Sequence, residues 1–306
     1  MGNLDPVFVE RFGPNVDAIF RDVAHPLSGN SQEIEPGDNL FFPLTRHKSW
    51  FDGHSFATGL FPFATGKSQE SSSEAANCYY GAYLWSLVRH GQNTKSELTD
   101  FAKLLLAMEI RSTKTYWHMI PTSASNKTNA KEAYEPAFQE NYMVGNLGML
   151  DVTATTWFGN DPLYVHLINV LPVTAATGLL FEKDYVKYEY PYLMESRGSV
   201  EMAWRGYTVA LQAILDPNKA WTDAQDLKSY QLDSALSKSQ VLYWISQRPT
   251  FNVSSVAINY ADEKANTNYG DVDESVLCSS HPTCTQVGLS GSCCPANDNV
   301  MLDCCT

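Results

Sequence analysis

Glu70, Glu74, Asp52, His54 and Asn77 fall within, or at the edge of, one stretch, DGHSFATGLFPFATGKSQESSSEAANCYYGAY from Asp52 to Tyr83, in a chain where only 18% of residues are charged. Burying polar groups at this density is costly unless each meets a partner or a ligand. The stretch is therefore read as the active site, and its carboxylates as the groups able to give and take protons. The two glutamates differ in what local structure asks of them. Ser71-x-x-Glu74 has the form of a capping box, with Ser71 as N-cap and Glu74 reaching back to the cap amide. Glu70 then lies one residue outside the helix. If the helix starts a turn earlier, Glu70, Glu74 and Asn77 share one face, and the two carboxylates disfavour each other by about 0.2–0.5 kcal/mol. In either case Glu70 has no structural duty of its own.

The element that carries these groups is a buried helix, expected from Ser71 through Ala75-Ala76-Asn77-Cys78-Tyr79-Tyr80 and Leu84-Trp85-Ser86-Leu87-Val88 to about His90-Gly91. Other chemistries fit the stretch less well. A metal held by His54, Glu70 and Glu74 would have two ligands at an acceptable i,i+4 spacing but no second histidine at helical spacing, so no metal and no cofactor is expected. Ser71, Ser72 and Ser73 lack the GxSxG surroundings of a nucleophile elbow, and helix capping accounts for them better.

The same residues resemble a known signature. DGHSFATGLF followed by GKSQESSSEAAN is similar to the signature region of glycoside hydrolase family 81, the endo-1,3-β-glucanases, whose pattern is close to GHSWAxGLF…GKxQESSSEAxN. The resemblance implies an inverting hydrolase of 1,3-β-glucan, with Glu70 as the base that activates water. Inverting enzymes hold acid and base about 6.5–9.5 Å apart so that a water fits between base and sugar. The family's acid is an Asp in an upstream Asp-His-His-x-His-Tyr-Gly segment, and no Asp-His pair occurs in this sequence. Three readings follow: a shortened product of a normal glucanase, a non-catalytic β-glucan-binding or cell-wall protein, or an enzyme in which Asp52 serves as acid. Asp52 also reads as a loop-fixing residue beside Gly53. His54, Asn77, Trp50, Tyr80 and His166 are the candidates for substrate binding.

The helices that must position this site are read from periodicity. Residues 1–26 carry two apolar segments at helical spacing before His25-Pro26, and 27–50 form a Ser/Gly/Pro-rich loop. Thr94 to Arg111 is expected to be a helix with Leu98, Phe101, Leu104, Leu105 and Met108 on one side. Lys131 to Phe138 is less regular, and Val144 to Leu150 is ambiguous between loop and strand. Asp161 to Pro172 reads as a short helix stopped by its proline. Glu201 to Leu215 and Asp226 to Ile245 are the last helical runs. With no series of alternating strands, the fold class is all-α; the resemblance makes it part of an (α/α)6 barrel. The echo of family segments extends through His166-x-x-Asn169-x-Leu171-Pro172, Trp204-Arg205-Gly206-Tyr207 and Tyr243-Trp244-Ile245.

Composition sets the outer limits. The formal net charge of −13 and the aromatic content of 12% disfavour a polyanionic partner such as nucleic acid and suit a neutral, ring-stacking ligand such as a glucan. No apolar run is long enough to span a membrane, and a monomer is expected. Six of the seven cysteines lie in the last 29 residues, at 278, 284, 293, 294, 304 and 305. This density reads as three disulfides and an oxidising, extracellular or cell-wall location, with Cys78 left as a buried thiol. The sequons Asn126-Lys-Thr128 and Asn252-Val-Ser254 point the same way, whereas Met1 to Pro6 does not resemble a signal peptide, so the natural start is expected upstream. The expected organisation is a partial catalytic domain over 1–250, a linker over 251–277 and a disulfide-rich module over 278–306.

Overall fold

The computed structural model describes residues 6–25, 44–45, 48–56, 64, 66–91, 96–124, 133–195, 202–252 and 280–286. The chain divides into two compact units, Met1–Val256 and Ala257–Thr306. The first is mainly helical. In chain order it contains α1 (Pro6–Val23), β1 (Ser68–Gln69), α2 (Ser72–His90), α3 (Glu97–Ser112), a π-helical turn (Thr113–Trp117), α4 (Pro136–Gln139), β2 (Asn146–Gly148), β3 (Val152–Thr153), α5 (Pro162–Leu167), α6 (Thr177–Leu180), α7 (Lys183–Glu195), α8 (Arg205–Leu215), α9 (Pro217–Gln225) and α10 (Lys238–Ser246). In the second unit, Pro282–Gln286 forms one helical turn. The linker expected over 251–277 lies outside the described residues except for 251–252, where Phe251 packs against Trp221, and so does most of the cysteine-rich module expected over 278–306, with its three expected disulfides.

α2 is the central helix of the site, and its limits follow from its ends. Ser71 Oγ accepts the Glu74 N–H at 3.2 Å, and Gly91, at φ 81°, closes the helix by donating to the Leu87 carbonyl. A left-handed C-terminal residue of this kind favours glycine. Ala76, Tyr79, Ala82 and Trp85 form the buried side of α2, which packs along α3 and against α1. The Trp85 indole and the Arg89 guanidinium both donate to Asp17 of α1, at 2.8 Å each. Beyond them, α7, α8, α9 and α10 pack in succession around a core of Tyr207, Leu211, Val241, Trp244 and Ile245.

Several expected elements differ in detail. A small antiparallel sheet in the order β1-β2-β3 pairs Ser68 with Gly148 and Leu147 with Val152; its strands are too short for alternation to show in the sequence. The run expected over Asp226 to Ile245 is broken, with a 3-10 turn at Ser229–Gln231 and α10 beginning only at Lys238. α7, with Pro191 inside it, was not anticipated. α3 is where expected, but the face it buries is Thr99, Ala102, Leu105, Leu106 and Glu109, whereas Leu104 is 49% exposed. The buried stripe is thus rotated from the one that hydrophobicity marks, and it places a carboxylate in the interior.

Candidate active site

Glu70 sits between the end of β1 and the N-cap of α2, so a strand pairing fixes it from one side and a capped helix from the other. The three serines that follow are structural. Ser71 Oγ donates to the Ile168 carbonyl at 2.8 Å. The Ser72 N–H and hydroxyl both donate to Asn169 Oδ1, at 2.8 and 2.7 Å, and Ser73 Oγ donates to the Leu171 carbonyl. The start of α2 is thereby fastened to the end of α5 and the segment beyond it. Asn169 completes the join through its amide, which donates to the Val165 carbonyl.

Glu70 is buried, 7% exposed, and it accepts a short 2.5 Å hydrogen bond from the Trp157 backbone N–H. Burial pushes its pKa up; the Trp157 amide partly offsets this, and the Glu74 charge adds to the rise. An elevated carboxylate of this kind is what a general base near neutral pH requires. Glu74 is exposed. Its amide receives the cap from Ser71, but among the hydrogen bonds of the described residues its carboxylate makes no return bond to the cap. Half of the expected capping box is therefore present, and the Glu74 carboxylate is left facing the same cavity as Glu70.

That cavity has a volume of about 370 Å³ and is lined by Glu70, Glu74, Trp157, Ser55, Tyr79 and Cys78, among others. The Trp157 ring is 45% exposed, a flat apolar surface beside the buried carboxylate. Cys78 is a free thiol, as expected, but it is exposed on the cavity wall rather than buried in the core; it falls one turn after Glu74. Burial of neighbouring surface and the Glu109 charge hold its thiol pKa up.

The other candidates occupy several places. Asp52 closes a tight loop in which Ser49 Oγ donates to its carboxylate at 2.8 Å and Gly53, at φ 84°, turns the chain; it does not line the cavity. His54 is packed edge-on against Phe56 and Trp117, its Nδ1 next to the Ser55 carbonyl, and burial lowers its pKa. Asn77 bridges α2 to the following segments, donating to the Ser73 and Pro172 carbonyls and accepting from Thr174. His166 is buried, its Nδ1 hydrogen-bonded to Glu189 at 2.8 Å. Tyr80 is half-buried against the core, and Trp50, 44% exposed, leans on Phe101. None of these six lines the cavity. Among the described residues no cluster of three or more His, Cys, Asp or Glu is arranged to hold a metal, and no helix is long and apolar enough to cross a membrane.

Beneath one wall lies a network that sequence reasoning missed. Lys48 Nζ donates to Glu109 Oε1 at 2.8 Å and to the Gly53 carbonyl at 2.9 Å, and it sits 5.0 Å from the centre of the Tyr79 ring. Ser55 Oγ donates to the same Glu109 oxygen. Lys48 and Glu109 are almost fully buried. The signal available was Glu109 itself, a charged residue in register with the buried stripe of α3.

Comparison with known proteins gives the family of the chain. A model of the glycosyl hydrolase family 81 C-terminal domain matches residues 1–245. Glucan endo-1,3-beta-D-glucosidase 2 of Saccharomyces cerevisiae is 34% identical over 181 residues, covering 59% of this chain and 22% of that protein. The primary septum glucan endo-1,3-beta-D-glucosidase of Schizosaccharomyces pombe is 28% identical over 271 residues, covering 83% of this chain and 24% of that protein. A glucan endo-1,3-beta-D-glucosidase of Glycine max is 28% identical, covering 80% of this chain and 34% of that one. The chain thus spans between 22% and 34% of the length of these relatives. A solved glycoside hydrolase family 81 structure from Clostridium thermocellum shares the helical fold with a TM-score of 0.64 at 23% identity, covering 80% of this chain and 31% of that one. With the family model spanning most of the chain and the helical architecture in agreement, this protein belongs to glycoside hydrolase family 81, of which it carries the C-terminal domain.

Proposed function

We propose that this chain supplies the base-bearing half of an enzyme that cleaves internal 1,3-β-glucosidic bonds in laminarin-type β-glucan with inversion. The observation that carries the reading is Glu70: a buried carboxylate with an elevated pKa, held in place by the Trp157 amide at the wall of a cavity. In its ionised form Glu70 takes a proton from a water positioned above it, and that water attacks the anomeric carbon from the face opposite the leaving group. The Trp157 N–H fixes one carboxylate oxygen and leaves the other to the water. Protonation of the leaving oxygen needs an acid. The carboxylates among the described cavity-lining residues are Glu70 and Glu74, and the resemblance to the family assigns neither of them as the acid. The acid is assigned to sequence upstream of these 306 residues, in keeping with relatives of which this chain covers 22% to 34%. A monomeric, extracellular or cell-wall protein acting on a neutral polysaccharide fits the acidic charge and the cysteine-rich tail.

The experiment is a laminarin hydrolysis assay on the 306-residue chain and on the chain extended upstream. The extended chain is expected to release oligosaccharides and the short one to be inactive or nearly so, since acid and base catalysis contribute about 10²–10⁴-fold each. Glu70→Gln in the extended chain is expected to abolish turnover with glucan binding retained. Robust turnover by the short chain would refute the assignment of the acid. Glucan binding without turnover in the extended chain would favour the non-catalytic alternative.

A further inference from the structure

The wall of the cavity formed by Ser55 and Tyr79 is built on a buried charge, and proton bookkeeping fixes what it presents. A serine hydroxyl has one proton and two lone pairs, and an ionised carboxylate accepts only. Ser55 gives its proton to Glu109. The 3.1 Å contact between Ser55 Oγ and the Tyr79 hydroxyl therefore runs from tyrosine to serine. Both protons of the pair point along the chain of bonds toward Glu109, so neither is available to a ligand. What remains at the cavity is acceptor capacity on both hydroxyl oxygens. Lys48, held between Glu109, the Gly53 carbonyl and the Tyr79 ring, donates to the same Glu109 oxygen that Ser55 does and so fixes that oxygen as the acceptor at the end of the chain.

We infer that Ser55 and Tyr79 form a paired acceptor site for hydroxyl protons of a glucosyl unit, set in that state by the buried Glu109–Lys48 ion pair. This rests on the glucan reading of the cavity and deepens it. A neutral sugar has hydroxyl protons to give, whereas an anionic ligand would meet the Glu70 and Glu74 carboxylates in the same space. Glu109 is a positioning residue: it acts on the ligand only through Ser55.

The test is titration of the 306-residue chain with laminarihexaose, followed by calorimetry, for the wild type, Ser55→Ala, Tyr79→Phe and the double variant. Tyr79→Phe keeps the ring under Lys48 and the Glu109–Lys48 pair intact, so it preserves the fold. Each single variant is expected to bind about 3–10-fold more weakly, the size of one hydrogen bond of net worth. The double variant is expected to lose less than the product of the two, because the hydroxyls act as one chain. Glu109→Gln, which removes the charge that orders the protons, is expected to weaken binding similarly and to make Tyr79→Phe nearly silent in its background. Alkylation of Cys78, mapped by mass spectrometry, reports on the same wall: laminarihexaose is expected to slow it, and Ser55→Ala and Tyr79→Phe are expected to leave the ligand-free rate unchanged, whereas Glu109→Gln, which removes a charge that holds the thiol pKa up, is expected to raise it. A clearly faster ligand-free rate in Tyr79→Phe would mean a loosened wall and overturn the inference. Wild-type affinity in both single variants would also overturn it while leaving the glucan reading intact. No binding by the wild type would instead sink the glucan reading itself.

Discussion

At the scale of single residues the site depends on one carboxylate being harder to ionise than usual. Glu70 has an elevated pKa because burial disfavours its charge, with a further push from Glu74. Two expectations follow in opposite directions. For catalysis, the base must be ionised, so the rate falls as pH drops through the Glu70 value. Glu74→Gln removes a like charge, and the acidic limb of the pH–rate profile is expected to move to lower pH, with turnover at neutral pH largely kept. Loss of all activity in Glu74→Gln would reverse the roles of the two glutamates. For stability, a carboxylate whose folded pKa lies above its unfolded value favours the fold while protonated and loses that contribution as pH rises through the folded value. Glu70→Gln keeps the acceptor for the Trp157 amide but never ionises. Its melting temperature relative to wild type is thus expected to be higher at pH 7 than at pH 4; an unchanged difference would mean that Glu70 is better solvated than its surroundings indicate.

At the scale of elements, the decisive join is between the start of α2 and the end of α5. It is made by short polar side chains, with Asn169 accepting twice from Ser72. Asn169→Ala leaves a buried amide and hydroxyl without an acceptor and is expected to cost about 1–3 kcal/mol, read as a lowered denaturant midpoint. Because Glu70 is two residues from Ser72, the variant is also expected to weaken glucan turnover in the extended chain more than its stability loss explains. The packing of α8 is tight at Gly206: a Cβ there would lie 2.7 Å from the Leu232 and Leu236 methyls. Gly206→Ala is expected to destabilise by about 1–3 kcal/mol through overpacking, checked by thermal melting.

At the scale of the whole molecule, the cavity and every residue assigned to it belong to the unit Met1–Val256. A chain ending at Val256 is expected to keep the main thermal transition and its affinity for laminarihexaose. A collapse of either would show that the tail holds the helical unit together. Much was legible in the sequence: the helical class and the extent of α2 from Ser71 to Gly91, with Glu70 singled out just ahead of it. These were legible because capping, glycine termini and helical period are local, and because the signature around Glu70 is long. Tertiary structure alone decided the rest. Trp157, far along the chain, reaches Glu70 through a backbone amide, a group that every residue but proline carries and no side-chain pattern marks. Glu109 drew no notice in the sequence, because nothing local marks a carboxylate as buried; Lys48, 61 residues away, pairs with it inside and Ser55 donates to it. His54 and His166, both plausible sugar ligands by type, are taken up by aromatic packing and by Glu189. Which polar side chains face a ligand and which face each other is settled by long-range pairing, and that pairing is not encoded in the spacing of any one segment.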